Sequence, residues 1–166
     1  MMIGLLKRIN NRRMLLEINF TQYKNALKIR KSKDVLEIYD PVRRKYLVLQ
    51  PEEMVRQLVV QYLIGDRKYP LSKMRVEMGL TVNELMKRCD ILLYDTHFKP
   101  FMLVECKSAK IPIDQAVFDQ IARYNLKFKV PYLMVTNGLA TYCCQIAYDV
   151  EGYHFLSEIP NFSVTL

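Results

Sequence analysis

The chain has 166 residues, with 25 Lys plus Arg against 17 Asp plus Glu and a formal charge of +8. At this length folding buries about 70% of the surface that the unfolded chain exposes, so one domain can build its core without staples. With 51% apolar and 25% charged residues, the composition excludes a disordered tail, a coiled coil or a collagen-like rod. No apolar run approaches the ~20 residues of a membrane span. The apolar start, Met1 to Leu6, is followed at once by Lys7 and Arg8, which inverts the charge order of a signal peptide. A cytoplasmic chain is therefore expected. Cys89, Cys106, Cys143 and Cys144 show no C-x-x-C spacing and are expected as buried free thiols.

In chain order, residues 1–19 read as an N-terminal arm, poorly ordered, and residues 20–166 as a single domain. Within it, 20–50 form a small β extension, 51–138 a catalytic core, and 139–166 a C-terminal strand and tail. Short runs at Leu27 to Ile29, Leu36 to Tyr39 and Tyr46 to Leu49 predict small strands, with a turn at Asp40-Pro41. Pro51-Glu52-Glu53 opens a helix, with proline in the first turn and acids at the positive dipole end, and Gly65 closes it. Strands are predicted near Arg75 to Met78, at Asp90 to Tyr94 and at Phe101 to Lys107. A helix near Asp114 to Phe128 follows, then a strand at Tyr132 to Thr136, a turn at Asn137-Gly138 and a strand at Tyr142 to Tyr148. Short turns favour antiparallel neighbours, whereas the second helix is long enough for a right-handed crossover into a parallel strand. The expected fold is α/β, a mixed sheet flanked by helices.

Chemistry concentrates between Asp90 and Lys107. In an antiparallel hairpin, paired residues keep a constant index sum, about 195 to 196 for a turn centred near residue 98. Asp90 then lies opposite Glu105 or Cys106, and alternation sends Glu105 and Lys107 to one side and Cys106 to the other. Two carboxylates and an ammonium so placed in apolar strands are costly unless something pairs with them. Two hard carboxylates suit Mg²⁺, and metal-assisted phosphodiester hydrolysis is the matching reaction. The competing reading is a cross-strand ion pair, with Asp90 as a strand-end cap.

Helical phase, at about 100° per residue, places Val55, Leu58, Val59, Tyr62 and Leu63 on one stripe. Glu52 falls about 60° from Val55 and Glu53 about 160° away, so Glu52 is expected to point inward. It reads equally as a partner of the helix dipole and as a third metal carboxylate. On the second helix Val117, Phe118, Ile121 and Phe128 face the core and Asp119 faces water. Gln120 and Tyr124 share a flank, as a polar border or as groups that hold substrate or water.

The basic clusters Lys28, Arg30, Lys31, Lys33 and Arg43, Arg44, Lys45 read either as a solvated face or as a phosphate track. His97 and His154 lack the neighbours of a zinc or triad site. Cys143 and Cys144 point to opposite sheet faces and cannot readily chelate together.

Five ordered blocks carry a further signal: Pro51-Glu-Glu-Met-Val-Arg-Gln57, Lys87-Arg-Cys-Asp-Ile-Leu-Leu-Tyr-Asp95, Val104-Glu-Cys-Lys107, Phe118-Asp-Gln-Ile-Ala-Arg-Tyr-Asn125 and Val130-Pro-Tyr-Leu-Met-Val-Thr-Asn-Gly138. From about Phe20 onward the chain resembles the N-terminal nuclease domain of type I restriction enzyme R subunits. More narrowly, it resembles the stand-alone bacterial proteins of that family, in the RecB-like branch of the PD-(D/E)xK superfamily. The resemblance implies a restriction-endonuclease-like core, Mg²⁺ (or Mn²⁺) held by Asp90 and Glu105 with Glu52 as the first-helix acid, and Lys107 as catalytic lysine. It also implies Gln120 with Tyr124 as the Q-x-x-x-Y pair. DNA is the implied partner, met by Arg43, Arg44, Lys45, Arg88 and Arg123, with other subunits of a restriction-type complex as further partners. Cys89 stands where the superfamily name has proline. No G-x-x-x-x-G-K-[ST] loop occurs, so neither an ATP site nor a translocase is expected on this chain.

Overall fold

A computed structural model describes residues 7–8, 13–82, 85–149 and 152–163, with side chains except at 7, 8, 80–82, 85, 87, 123, 124, 126 and 127. The strands are β1 (Lys7–Arg8), β2 (Ile29–Ser32), β3 (Val35–Asp40), β4 (Lys45–Val48), β5 (Met74–Val82), β6 (Leu85–Tyr94), β7 (Pro100–Cys106), β8 (Tyr132–Thr136), β9 (Thr141–Ala147) and β10 (Gly152–Phe155). The helices are α1 (Pro51–Gly65) and α2 (Gln115–Phe128), and a 3-10 turn spans Phe20–Ala26. A seven-stranded sheet runs in the order β1-β10-β9-β8-β7-β6-β5, beside a three-stranded sheet β2-β3-β4. In the large sheet β7 and β8 are parallel, joined through α2 as the crossover, whereas the short connections give antiparallel pairs. The fold is a mixed α/β sheet flanked by helices. Among the described residues no helix is long and apolar enough to cross a membrane.

Local chemistry sets the helix ends. Pro51 takes the first position of α1 with Glu52 and Glu53 beside it, where a missing N–H costs nothing and acids meet the dipole. Asp114 caps α2, accepting from the Val117 N–H at 3.2 Å. At the far end Lys129 adopts a left-handed conformation, and Asn125 accepts from the Val130 N–H at 2.7 Å, so Pro131 begins a new direction.

Two cores lie on opposite faces of the large sheet. Val55, Val59 and Leu63 of α1 pack with Ile91, Leu93, Val104 and Cys143, whereas Val117, Phe118 and Ile121 of α2 pack with Leu92, Leu103, Val135 and Cys144. The expected stripe of α1 is buried throughout, and Cys143 and Cys144 do take opposite faces. All four cysteines are buried free thiols.

The stripe is nevertheless wider than helical phase suggests. Val60 is wholly buried, as is Ile38 of the small sheet, because α1 is covered on its second side by the 3-10 turn and the small sheet, with Phe20 edge-on to Tyr62 at 5.4 Å. Of the expected arm, residues 1–6 and 9–12 lie outside the described residues; within 13–19 Leu16 is in the α1-side core and its N–H donates to the Thr141 carbonyl at 2.8 Å, while Arg13, Met14, Leu15, Glu17 and Asn19 are exposed.

Between β8 and β9, Asn137 accepts from the N–H groups of Leu139 and Ala140 at 2.9 and 2.7 Å, an Asx turn that leaves Gly138 at φ +85°. Gly138→Ala is expected to destabilise the chain by about 1–2 kcal/mol, because a Cβ is disfavoured in the left-handed region. The space itself is adequate, since that Cβ would meet Val55 at 3.5 Å. Urea denaturation checks it, and an unchanged midpoint would refute the strain argument.

Candidate active site

The β6–β7 hairpin has the expected register. Ile91 pairs with Val104, Leu92 with Leu103 and Leu93 with Met102, with a shift only beyond Leu93. That register carries Asp90 to the level of Glu105 at the α1 N-terminal end of the sheet. Alternation slips at Asp90, however. Cys89 and Leu92 both belong to the α2-side core while Ile91 and Leu93 belong to the other, and the Asp90 carboxylate turns toward α1. On β5, between the paired positions Val76 and Met78, Glu77 sits at φ 48°, a strained left-handed residue at the level where the slip occurs.

Both carboxylates are buried, Asp90 at 7% and Glu105 at 4% exposure. Asp90 Oδ1 accepts from Arg56 Nη2 at 2.6 Å, and its Oδ2 accepts from the Cys106 N–H at 2.6 Å. Glu105 Oε1 accepts from Lys107 Nζ at 2.8 Å and from Gln120 Nε2 at 3.0 Å. Burial, followed by the charge of Asp90, pushes the Glu105 carboxyl up to about 8 against the pull of Lys107. For Lys107 burial works against the charge, but Glu105, Glu52 and Asp90 outweigh it and raise its pKa.

Glu52 and Glu53 exchange the positions that helical phase assigns them. Glu52 is half-exposed, with Arg56 Nη2 at 3.6 Å; burial and the charge of Asp90 raise its pKa. It feels the site but does not join it: among the described residues no three His, Cys, Asp or Glu side chains group closely enough to hold an ion. Glu53 is the enclosed acid, accepting from Arg56 Nη1 at 2.6 Å, Gln57 Nε2 at 2.9 Å and Arg43 Nη2 at 3.0 Å. Its phase lies only about 20° from Val60, on the side of α1 that the small sheet covers.

Arg43, expected to meet phosphate, is committed elsewhere. Its guanidinium, 17% exposed, pairs with Asp40, Glu53 and Glu77. Arg44 and Lys45 remain exposed, and Arg88 is open to solvent with Glu77 at 3.5 Å. The side chains of Arg123 and Tyr124 lie outside the described residues. The residues sequence reasoning missed are Arg56, Glu53, Glu77 and Asp40. One signal was available: Arg56 lies about 20° from Leu63 on the helix, which marks a cation inside a buried stripe and so demands acids opposite it.

Against this geometry, the family model for the type I restriction enzyme R protein N terminus matches residues 51–160, two thirds of the chain. The chain belongs to that family. A solved structure with a similar fold is a fragment described as an HsdR subunit of a type I restriction enzyme from Vibrio vulnificus. It has a TM-score of 0.51 and 19% identity over 68% of this chain. The chain spans 24% of the length of that structure. Comparison with the curated proteins finds no match. The family match contains Glu52, Asp90, Glu105, Lys107 and Gln120, whereas Asp40 and Arg43 precede it.

Proposed function

We propose that the chain is a divalent-metal-dependent deoxyribonuclease of the PD-(D/E)xK kind, in its RecB-like branch, acting on DNA in a restriction or defence setting in the cytoplasm. The observation that carries the reading is the buried Asp90–Glu105 pair with Lys107 on Glu105, in a chain of this family. The donor set fits Mg²⁺, which takes one or two carboxylates and keeps waters for exchange with substrate phosphate. The raised Glu105 carboxyl supports the fit, since two acids sharing a buried corner are short of positive charge.

Asp90 and Glu105 would hold Mg²⁺ or Mn²⁺, and Glu52 at the half-exposed edge would reach it through water. When bound, such an ion lowers the pKa of a water and offsets charge growing on the phosphate. Lys107, kept protonated by its acidic neighbours, orients the attacking water and faces the charge on the scissile group. Gln120 fixes Glu105 from the α2 side, and Tyr124 follows one helical turn later. Arg44, Lys45, Arg88 and Arg123 supply the salt-sensitive attraction to DNA. With no ATP loop in this sequence, cleavage by this chain depends on DNA structure or on further subunits of a restriction-type complex.

A plasmid-nicking assay across Mg²⁺, Mn²⁺ and Ca²⁺ tests it. Nicking is expected with Mg²⁺ and Mn²⁺ and not with Ca²⁺, and Lys107→Ala is expected to lower it about a hundredfold while leaving salt-dependent DNA binding in place. DNA binding without any divalent-dependent strand breakage would instead establish a binding or assembly module that keeps the fold without turnover.

A further inference from the structure

Arg56 is a buried cation amid acids drawn from three elements: Glu53 on its own helix at 2.6 Å, Glu77 of β5 at 3.2 Å and Asp90 of β6 at 2.6 Å. Its side chain is 4% exposed, so it cannot serve as a surface contact for DNA. Behind it, Arg43 in the β3–β4 turn of the small sheet holds the same Glu53 and Glu77 at 3.0 and 3.2 Å and is itself fixed on fully buried Asp40. Asp90 is thereby gripped at both oxygens, by a planar fork from α1 and by the Cys106 N–H. A carboxylate oxygen has two lone pairs, so the grip leaves one at each oxygen for a cation.

We propose that Arg56 is a positioning residue that fixes the Asp90 carboxylate for a divalent cation, and that the three-stranded sheet, through Arg43, holds Arg56 in place. The proposal rests on the metal-dependent reading of Asp90 and Glu105. It assigns the β extension, which precedes the family match, a part in the site: it supplies the outer end of an Arg43–Glu53/Glu77–Arg56–Asp90 chain. A guanidinium suits the task because its fork reaches several acids at fixed angles, which an ammonium cannot.

Two roles for Arg56 predict opposite signs. A counter-ion that merely competes for Asp90 would, once removed, let a divalent cation bind more tightly. A positioner, once removed, leaves Asp90, Glu53 and Glu77 repelling one another with Asp90 free to turn, and binding weakens. Geometry favours the second, because acids already outnumber cations here, six to four: Asp40, Glu52, Glu53, Glu77, Asp90 and Glu105 against Arg43, Arg56, Arg88 and Lys107.

Isothermal titration of the whole chain with MnCl₂ alone distinguishes them, run with thermal melts on wild type, Arg56→Met, Arg56→Lys and Asp90→Ala. Mn²⁺ affinity is expected to fall at least about tenfold in Arg56→Met and about threefold in Arg56→Lys, which keeps the charge and loses the fork. The Mn²⁺ concentration for half-maximal nicking should rise in parallel. Wild-type affinity in Arg56→Lys, or tighter binding in Arg56→Met, overturns the proposal, as does a lowered Tm with unchanged affinity, the mark of a purely structural residue. Should Arg56→Met fail to fold, the charge-preserving Arg56→Lys decides alone. Absence of Mn²⁺ binding in wild type, or full binding in Asp90→Ala, overturns the metal-dependent reading itself and this proposal with it.

Discussion

Glu105→Gln is expected to reduce DNA nicking at saturating Mg²⁺ by about a thousandfold or more, and at the same time to make the metal-free protein more stable. Both effects come from one feature. Glu105 is 4% exposed beside Asp90, and its carboxyl is pushed up to about 8 by burial and by that neighbour. A neutral amide of the same shape is a poor ligand for a hard cation, so the catalytic loss follows from the donor set. The stability gain follows from linkage. With a folded pKa near 8 and an ordinary value of 4.5, the unfolded chain releases this proton first as pH rises. Below about 4.5 the carboxyl is protonated in both states; between there and about 8 stability drains away; above 8 the full penalty is present. Glutamine never carries it. In EDTA the Tm of Glu105→Gln should therefore exceed that of wild type by a few degrees at pH 8–9, about 1 kcal/mol at this chain length. The gap should close toward pH 4.5. Adding Mg²⁺ at pH 8 should narrow it by stabilising wild type alone. Differential scanning calorimetry in EDTA measures it, and a variant less stable than wild type at pH 8 would show that the Lys107 and Gln120 contacts outweigh the repulsion.

What the sequence makes legible, and what it hides, separates along physical lines. The β6–β7 register can be read because a two-strand hairpin has one free parameter, and the turn at His97 sets it; Ile91 falls opposite Val104 as the index sum requires. The α2 crossover into parallel β8 follows from connection length and the α1 stripe from its period. The two-residue β1 and the closing β10 are not legible, since neither segment carries enough alternation to be told from loop. Nor does alternation foretell the slip at Asp90, which coincides with a left-handed Glu77 on the neighbouring strand. Glu52 and Glu53 exchange roles for a different reason. A stripe drawn from apolar residues alone assumes one buried side, and α1 has two, the second covered by the small sheet whose contribution is visible only in three dimensions. Arg43 is misjudged on the same account: a run of basic residues looks like a solvated face until the buried acids opposite one of them are seen.

Arg43→Ala is expected to cost about 3–5 kcal/mol of stability, the range for breaking a buried pair from one side, or roughly 6–20 °C in Tm for a chain of this size. The neighbours Arg44→Ala and Lys45→Ala, exposed on the same turn and strand, should each stay within about 0.5 kcal/mol. Asp40 makes the difference: at 0% exposure it accepts from the N–H groups of Val42 and Arg43 at 2.8 and 3.1 Å, and without the guanidinium its charge is left in the interior with only those donors. Glu53 and Glu77 lose a partner at the same time. Asp40→Asn should then be less harmful on the Arg43→Ala background than on wild type, because an asparagine oxygen still accepts both N–H groups and brings no unpaired charge. Guanidinium denaturation of the two single variants and the double variant closes that cycle. In DNA binding the order should invert: Arg44→Ala and Lys45→Ala flatten the salt dependence by about one phosphate each, whereas Arg43→Ala, whose side chain is occupied inside the protein, leaves the slope unchanged. Additive single effects, or a cost below about 1 kcal/mol for Arg43→Ala, would mean that the ion network does not fasten the small sheet to α1, and that apolar contact through Ile38 and Phe20 suffices.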